Sequence, residues 1–412
     1  MTTAPSRTIG RTEFVALIAA INTINSAAID VMLPALPNMG AAFGVANAND
    51  RSLVLTAFVI GLGLPQLVFG PLVDRYGRRL PLIVGLLVYS VAALAAPLAP
   101  SFPALLALRF VQGMGSAAAA VAAQAAIRDR YAGRDMAQVM SMIWSVFMIS
   151  PIIAPGVGQL ILLTGSWQII FGFMGAVGLV FTVWTFLRLP ESLTDDQRRP
   201  LTPAVIGAGF AAVLGNRMSL FYALASTFLF GAVLGMVNSS QPIYVGVYGL
   251  GPLFPLAFAV APIVSAVAFI LNARLVSYFG MRRLSHGSMI AFVVAAAAWF
   301  AIDMAGVMPL WLFIVFMGIA MLALGLGWGN VPALMMEPLG EVAGTASAVF
   351  GTLSTVGGAV LGYAVAQVFD GTPTPFIASL LIFGVIVVAL FAAAEGGRLF
   401  AERPIGVPAD AP

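Results

Sequence analysis

The chain contains no cysteine, no lysine and a single histidine, His286. Without cysteine it can form no disulfide, thiolate nucleophile or cysteine-based metal site. One histidine cannot build a histidine-rich metal site. No G-x-x-x-x-G-K-[ST] loop occurs, so direct ATP use is not indicated. No Gly-Ser nucleophile elbow, metal-ligand cluster or carboxylate pair argues for an enzyme. We expect no metal and no cofactor other than a proton.

Charge is scarce as well. Charged residues make up 8% of the 412 residues, whereas hydrophobic residues make up 61%, and the mean hydropathy is +1.02. Soluble domains are about a quarter charged. The sequence therefore predicts an all-α polytopic membrane protein embedded in a lipid bilayer. The net charge of +3 does not indicate a nucleic-acid partner, because the arginines are spread among short loops.

Twelve apolar segments are long enough to span a bilayer, which takes roughly 20 residues. Their predicted bounds are 13–33, 52–72, 80–98, 103–126, 138–163, 167–189, 218–246, 253–276, 284–303, 309–332, 343–366 and 375–395. With an even count both termini lie on one side. The loops of that side hold nearly all the loop arginines and the opposite loops hold only Arg51, so the positive-inside rule predicts cytoplasmic termini.

The longest polar break divides the spans into two sets of six. We predict a first six-helix bundle at 1–189, a cytoplasmic linker with an interfacial helix at 190–217, and a second bundle at 218–412. GPLVDRYGRRL at 70–80 is echoed by NARLVSYFGMRRL at 272–284. Parallel six-helix repeats of this kind occur in secondary transporters, which bind substrate near the midplane between the repeats.

The stretch GPLVDRYGRR predicts a tight turn at Gly77 joining two antiparallel helices. Asp74 can pair there with an arginine of the next cytoplasmic loop, such as Arg128 or Arg130, and such a contact can form in one conformation and break in another. The alternative is that these arginines only set the topology. The predicted switch loop consists of Gly70, Asp74, Arg75, Gly77, Arg78, Arg79, Arg128 and Arg130.

These residues resemble the signature loop of the major facilitator superfamily. RFVQGMGSAAAA at 109–120 resembles that superfamily's R-x-x-Q-G motif, and SPIIAPGVGQL at 150–160 resembles its antiporter motif, carried here by Pro151, Pro155 and Gly158. With IDVMLPALP in the first helix, the chain is similar to the Bcr/CflA group of drug–proton antiporters. The resemblance implies the superfamily fold, a bacterial inner membrane location and proton-coupled export.

Asp30 and Arg109 are the clear ionisable residues within the predicted spans, and intramembrane charge is costly and often functional. Both fall in the outer part of the bilayer, where the resemblance places their helices at a central cavity. A carboxylate paired with arginine keeps its charge, and one moved into apolar surroundings takes up a proton. The sequence therefore predicts Asp30 and Arg109 as the proton-coupling pair. The alternatives are a helix cap for Asp30 and a tie to backbone carbonyls for Arg109.

Polar residues on helices 1, 4 and 7 are candidates for a substrate cavity. They are Asn22, Asn25, Gln112, Asn238, Gln241 and Tyr244, and interhelical hydrogen bonding is the alternative role. Asn22 stands where some relatives carry an acid, which favours neutral compounds over cations. The leading prediction is a monomeric exporter of small, largely apolar drugs by proton antiport. The alternatives are export of a metabolite, such as a sugar or amino acid, and proton-coupled uptake.

Overall fold

The computed structural model describes residues 9–194, 203–306, 308–339 and 343–400. The chain divides into two compact units, Met1–Thr202 and Pro203–Pro412. The first contains eight α-helices: α1 Arg11–Asp30, α2 Leu36–Ala42, α3 Leu53–Gly63, α4 Gln66–Tyr76, α5 Arg79–Ala95, α6 Phe102–Arg130, α7 Gly133–Thr164 and α8 Trp167–Arg188.

The second unit contains a further eight: α9 Pro203–Gly215, α10 Arg217–Gln241, α11 Phe254–Phe279, α12 Met281–Met304, α13 Leu310–Trp328, α14 Val331–Met336, α15 Ala343–Gln367 and α16 Thr374–Ala394. Residues 195–202 of the predicted linker lie outside the described part of the chain. Helix α9 lies in the stretch where the sequence predicts an interfacial helix, and it packs against α15 and α10.

The prediction of twelve spans is confirmed. Within the described residues, eleven helices are long and apolar enough to cross a membrane, and a bent pair makes the twelfth. That pair is α3 with α4, and its bend of 44° lies at the break between Gly63 and Gln66. Pro65 lies in this break, and proline has no backbone N–H to continue a helical hydrogen-bond ladder.

The first span departs from its prediction. Its predicted end is residue 33, after which Pro34 and Pro37 follow in the sequence, but α1 already ends at Asp30. Both prolines instead lie at the starts of new helical pieces, Leu33–Ala35 and α2. Proline is favoured in a first helical turn, where its missing N–H would have no partner. Asp30 thus lies at a break between helical segments within one long apolar stretch.

Small residues let the helices around this break approach closely. Helix α6 packs against α3 and α5. An added Cβ at Gly61 or Gly113 would overlap the backbone of the facing helix, and one at Gly85 would lie 2.6 Å from the Gly115 carbonyl oxygen. Helix packing in lipid depends on such close approach. These contacts bury the first half of α6, with Arg109 and Gln112, inside the first unit.

Candidate functional site

Arg109 lies fully buried at the centre of the first unit and is bound on three sides. Its Nε donates to the Val54 carbonyl oxygen at 3.1 Å, its Nη2 to the Ala28 carbonyl oxygen at 2.9 Å, and its Nη1 to Gln112 Oε1 at 2.6 Å. The guanidinium also lies 4.5 Å from the centroid of the Phe58 ring, within cation–π range. One side chain of α6 therefore joins α1 and α3.

The Ala28 contact has a local cause. Ala28 lies in the last turn of α1, where the final carbonyls of a helix have no intrahelical partner. A cation near a helix C-terminus is also favoured by the helix dipole. Arg109 supplies both a donor and a positive charge at this end, two residues before Asp30.

Asp30, at the last position of α1, is 5% exposed. Its Oδ2 accepts a hydrogen bond from the Ser26 hydroxyl at 2.9 Å, one helical turn earlier. Among the ion pairs of the described residues, none joins Asp30 to Arg109. The two residues do meet at the same helix end, but the arginine binds the Ala28 carbonyl and not the carboxylate. The backbone tie considered for Arg109 is thus present.

The antiporter-type motif of α7 lies against the chain next to Asp30. An added Cβ on Gly158 would overlap the carbonyl of Val31 and lie 3.3 Å from Pro34 Cγ. Pro151 and Pro155 lie within the same helix. The glycine therefore allows α7 to approach the break after Asp30 more closely than any other residue would.

Of the candidate cavity residues of the first unit, Gln112 bonds Arg109 directly, and Asn22 and Asn25 have other hydrogen-bond partners. Asn25 accepts a hydrogen bond from the Ser116 hydroxyl, whereas Asn22 donates to the Ile18 carbonyl of its own helix at 2.9 Å. The Nε2 atom of Gln112 is buried as well. The hydroxyl of Tyr89 lies beside Gln112 and Arg109.

Three polar residues that contact Asp30, Gln112 and Asn25 are absent from the sequence predictions. They are Ser26, Tyr89 and Ser116. A serine or tyrosine inside an apolar helix gives little signal in one sequence. Their spacing does carry information after the fact, because Ser26 precedes Asp30 by four residues and Ser116 follows Gln112 by four. Residues four apart lie on one helix face.

The remaining cavity candidates lie in the second unit. Asn238 and Gln241 are at the end of α10, and Tyr244 lies in the π-helical segment Pro242–Val247 that follows. Pro242 has no N–H for the i−4 carbonyl, and π-helical turns frequently occur at functional sites. Asn238 Oδ1 is buried without a hydrogen-bond partner among the described residues. Tyr244 packs on Phe254 and Phe313.

At the turn between α4 and α5, Arg78 organises a network of charges. Its Nη1 donates to Asp74 Oδ1 at 2.9 Å and to the Val73 carbonyl oxygen at 2.7 Å, and its Nε donates to Asp129 Oδ2 at 2.8 Å. Burial alone would lower the pKa of Arg78, but the hydrogen bonds and charges of Asp129 and Asp74 outweigh it, so its pKa is raised. Arg78 therefore remains charged.

This network corrects the expected pairing of Asp74. The sequence suggests Arg128 or Arg130 as its partner, but the partner is Arg78 in the same loop. The residue that α6 contributes is the acid between those two arginines, Asp129. The Arg130 guanidinium instead lies 4.6 Å from the centroid of the Phe14 ring.

Glu191, just beyond α8, completes the turn. Its carboxylate accepts the backbone N–H of Arg78 at 2.8 Å and of Arg79 at 3.0 Å, and so caps the N-terminus of α5, where a negative charge is favourable. Gly77 has φ +91°, and an added Cβ would lie 2.7 Å from Glu191 Cδ. Glycine tolerates both conditions. Gly70, Arg75 and Arg128 lie outside this network, and the Arg75 guanidinium is 5.5 Å from the centroid of the adjacent Tyr76 ring.

The second unit holds a comparable cluster. Arg282 Nε donates to Glu395 Oε1 at 2.8 Å and Arg282 Nη2 to Glu337 Oε2 at 2.9 Å. The Tyr222 hydroxyl donates to the same Glu395 oxygen at 2.9 Å and lies 3.1 Å from His286 Nε2. The His286 side chain, the single histidine of the chain, is buried in this cluster.

Within the described residues, eleven long apolar helices and one bent pair, in two units with matching arginine–carboxylate clusters, define a multi-pass membrane protein. The family model described as Major Facilitator Superfamily matches residues 15–362. The chain belongs to this superfamily.

Relatives and solved structures agree with that assignment. The chain is 27% identical to a bicyclomycin resistance protein homolog of Haemophilus influenzae, over 88% of this chain and 91% of the relative. It is 29% identical to a chloramphenicol resistance protein of Pseudomonas aeruginosa, over 84% and 81%. A crystal structure of a D-xylose–proton symporter matches with a TM-score of 0.74 and 14% identity, over 92% of this chain and 95% of the symporter. This last similarity shows the fold alone.

Proposed function

We propose that this transporter exports small, largely apolar drugs across the bacterial inner membrane in exchange for protons, by alternating access. The observation that carries the proposal is the buried Asp30 carboxyl at the break after α1, with no ion-pair partner among the described residues. A buried charge without a partner is costly. A group of this kind gains and loses a proton as its surroundings change.

Arg109 supplies the fixed positive charge of the mechanism. Its hydrogen bonds to the Ala28 and Val54 carbonyls and to Gln112 hold it near the end of α1. A small movement of the helix end would bring the Asp30 carboxylate to the guanidinium and favour the ionised form. Movement away from it favours the protonated form. Proton release and uptake thus follow the geometry of one helix end.

The class of substrate follows from the small number of charges. Five segments of the first unit contain two charged residues between them, Asp30 and Arg109. The segments are α1 beyond its first turn, α2, α3, the first two-thirds of α6, and α7 from Met140 onward. A cation would need a carboxylate of its own, and Asn22 is neutral. The relatives named for bicyclomycin and chloramphenicol resistance support a drug over a metabolite. We further propose that the chain acts as a monomer with cytoplasmic termini, which the loop arginines support.

The test is a resistance and accumulation assay in an efflux-deficient bacterial host, with chloramphenicol and bicyclomycin as probes. The wild-type protein lowers accumulation of at least one probe, and a protonophore abolishes this effect. Asp30→Asn loses the effect at unchanged membrane abundance. Asp370→Asn serves as the matched control, because the hydrogen bonds of that exposed carboxylate within the described part of the chain go to Thr372. Export by Asp30→Asn at the wild-type level would overturn the assignment of Asp30, and export insensitive to the protonophore would overturn proton coupling.

A further inference from the structure

The environment of Asp30 contains one group that the proposed mechanism leaves without a role, the hydroxyl of Ser26. We propose that Ser26 is a positioning residue that sets the proton affinity of Asp30; this inference rests on the proposed function of Asp30. Ser26 is buried and donates to Asp30 Oδ2 at 2.9 Å. A serine inside a helix ordinarily bonds the carbonyl four residues earlier, so this hydroxyl has been diverted to the carboxylate.

Thr23 on the same helix shows the ordinary arrangement. Its Oγ1 donates to the Ala19 carbonyl oxygen at 2.8 Å. The two hydroxyls are three residues apart, and only that of Ser26 reaches Asp30. The spacing of four residues between Ser26 and Asp30 places the two side chains on one helix face, and Thr23 at a spacing of seven lies two turns away.

The charged groups around Asp30 are few enough for one hydroxyl to matter. From α6 the charge at this helix end is Arg109, which binds the Ala28 carbonyl. Among the described residues, the other helices packed on α1 are α7 and α8. The part of α7 from Met140 onward contains no charged residue, and α8 has only Arg188, at its far end; the nearby α2 and α3 contain none. The carboxylate therefore depends on the Ser26 donor in this arrangement.

The direction of the effect follows from hydrogen-bond chemistry. A hydrogen bond to an ionised acceptor is about twice as strong as one between neutral groups. The Ser26 donor therefore stabilises the ionised carboxylate more than the protonated acid. Its removal makes proton release harder, so the pH at which Asp30 titrates rises. A change of about one pH unit corresponds to a tenfold change in proton affinity.

The hydroxyl also leaves the second oxygen, Oδ1, to carry the proton. Because the carbonyl oxygen of a protonated carboxyl group still accepts hydrogen bonds, Ser26 can donate to Oδ2 in either protonation state. Asp30 is thereby held in one orientation at the end of α1 through the whole cycle. Threonine at position 26 would preserve this chemistry and alanine would abolish it.

The test is an infrared pH titration of the full-length protein, which follows the carbonyl band of the protonated carboxyl group and requires no substrate. A band that titrates in the wild type and is missing in Asp30→Asn belongs to Asp30. We expect Ser26→Ala to raise the midpoint by about one unit and to shift the band, because the carbonyl loses its donor. Ser26→Thr restores both values, and Thr23→Ala leaves both unchanged.

Several outcomes would overturn the inference. One is a Ser26→Ala midpoint equal to that of the wild type, and another is an equal shift in Thr23→Ala. Should Ser26→Ala not fold, Ser26→Gly with the same expected shift takes its place. Failure here is distinct from failure of the proposed function. If the Asp30 band titrates at the same pH with and without the Ser26 hydroxyl, only the proposed role of Ser26 is wrong. If chloramphenicol and bicyclomycin are exported without proton coupling, the proposed function is wrong, and the effect of Ser26 on the Asp30 titration is unaffected.

Discussion

Replacing Arg78 by alanine tests which arginine of the GPLVDRYGRR loop holds the first unit together. The side chain donates twice to Asp129, once to Asp74 and once to the Val73 carbonyl. Hydrogen bonds to charged groups each contribute about 1.5–3 kcal/mol. The side chains of Asp74 and Asp129 are 44% and 20% exposed, so water replaces part of what is lost. We expect Arg78→Ala to lower the free energy of unfolding by about 2–4 kcal/mol.

The assay is thermal unfolding of the detergent-purified protein. For a unit of this size one kcal/mol corresponds to about 2–4 °C, so the Tm should fall by roughly 5–15 °C. Arg75→Ala is the matched control, since its exposed guanidinium contacts only the ring of the adjacent Tyr76 among the described residues, and its Tm should change by at most about 2 °C. Equal Tm values for the two variants would refute the assignment of Arg78 as the centre of the network.

Two further substitutions test the packing and the second unit. Gly158→Ala should lower the Tm, because its added Cβ overlaps the Val31 carbonyl at a cost of about 1–3 kcal/mol. Gly156→Ala should raise the Tm slightly, because the space around its Cβ is open. A lower Tm for Gly156→Ala than for Gly158→Ala would contradict the close contact of α7 with the chain at the end of α1. Tyr222→Phe removes the hydroxyl beside His286 and should lower the free energy of unfolding by about 1–2 kcal/mol in the same melting assay. An unchanged Tm, equal to that of the exposed control Tyr278→Phe, would show that this hydroxyl contributes nothing.

Much of the fold is predictable from composition and from the positions of glycine and proline. The twelve spans follow from apolar runs of about 20 residues, and the turn at Gly77 follows from a glycine between two antiparallel helices. The bend at Pro65 and the end of α1 at Asp30 are harder to predict from the sequence. A proline marks a break in a helix but does not say whether the chain stops or starts a new helical piece.

The partners in the site could not be predicted, because they join distant parts of the chain. Glu191 caps a helix that begins 112 residues earlier. Nothing in the sequence favours Asp129 over its arginine neighbours as the residue of α6 that pairs at this turn. Three arginines in one loop look alike in sequence, and only tertiary contacts distinguish Arg78. Likewise, the sequence identifies Asp30 and Arg109 as the membrane charges, but the bond of Arg109 to the Ala28 carbonyl depends on how the end of α1 meets α6.

Proton movement driven by drug in proteoliposomes tests the central claim most directly. Purified protein is reconstituted with a pH-sensitive dye inside, and a chloramphenicol or bicyclomycin gradient is imposed. The account predicts a change of internal pH for the wild type and for Asp370→Asn, and none for Asp30→Asn, although that variant still binds the drug. Proton movement by Asp30→Asn at the wild-type rate would contradict it.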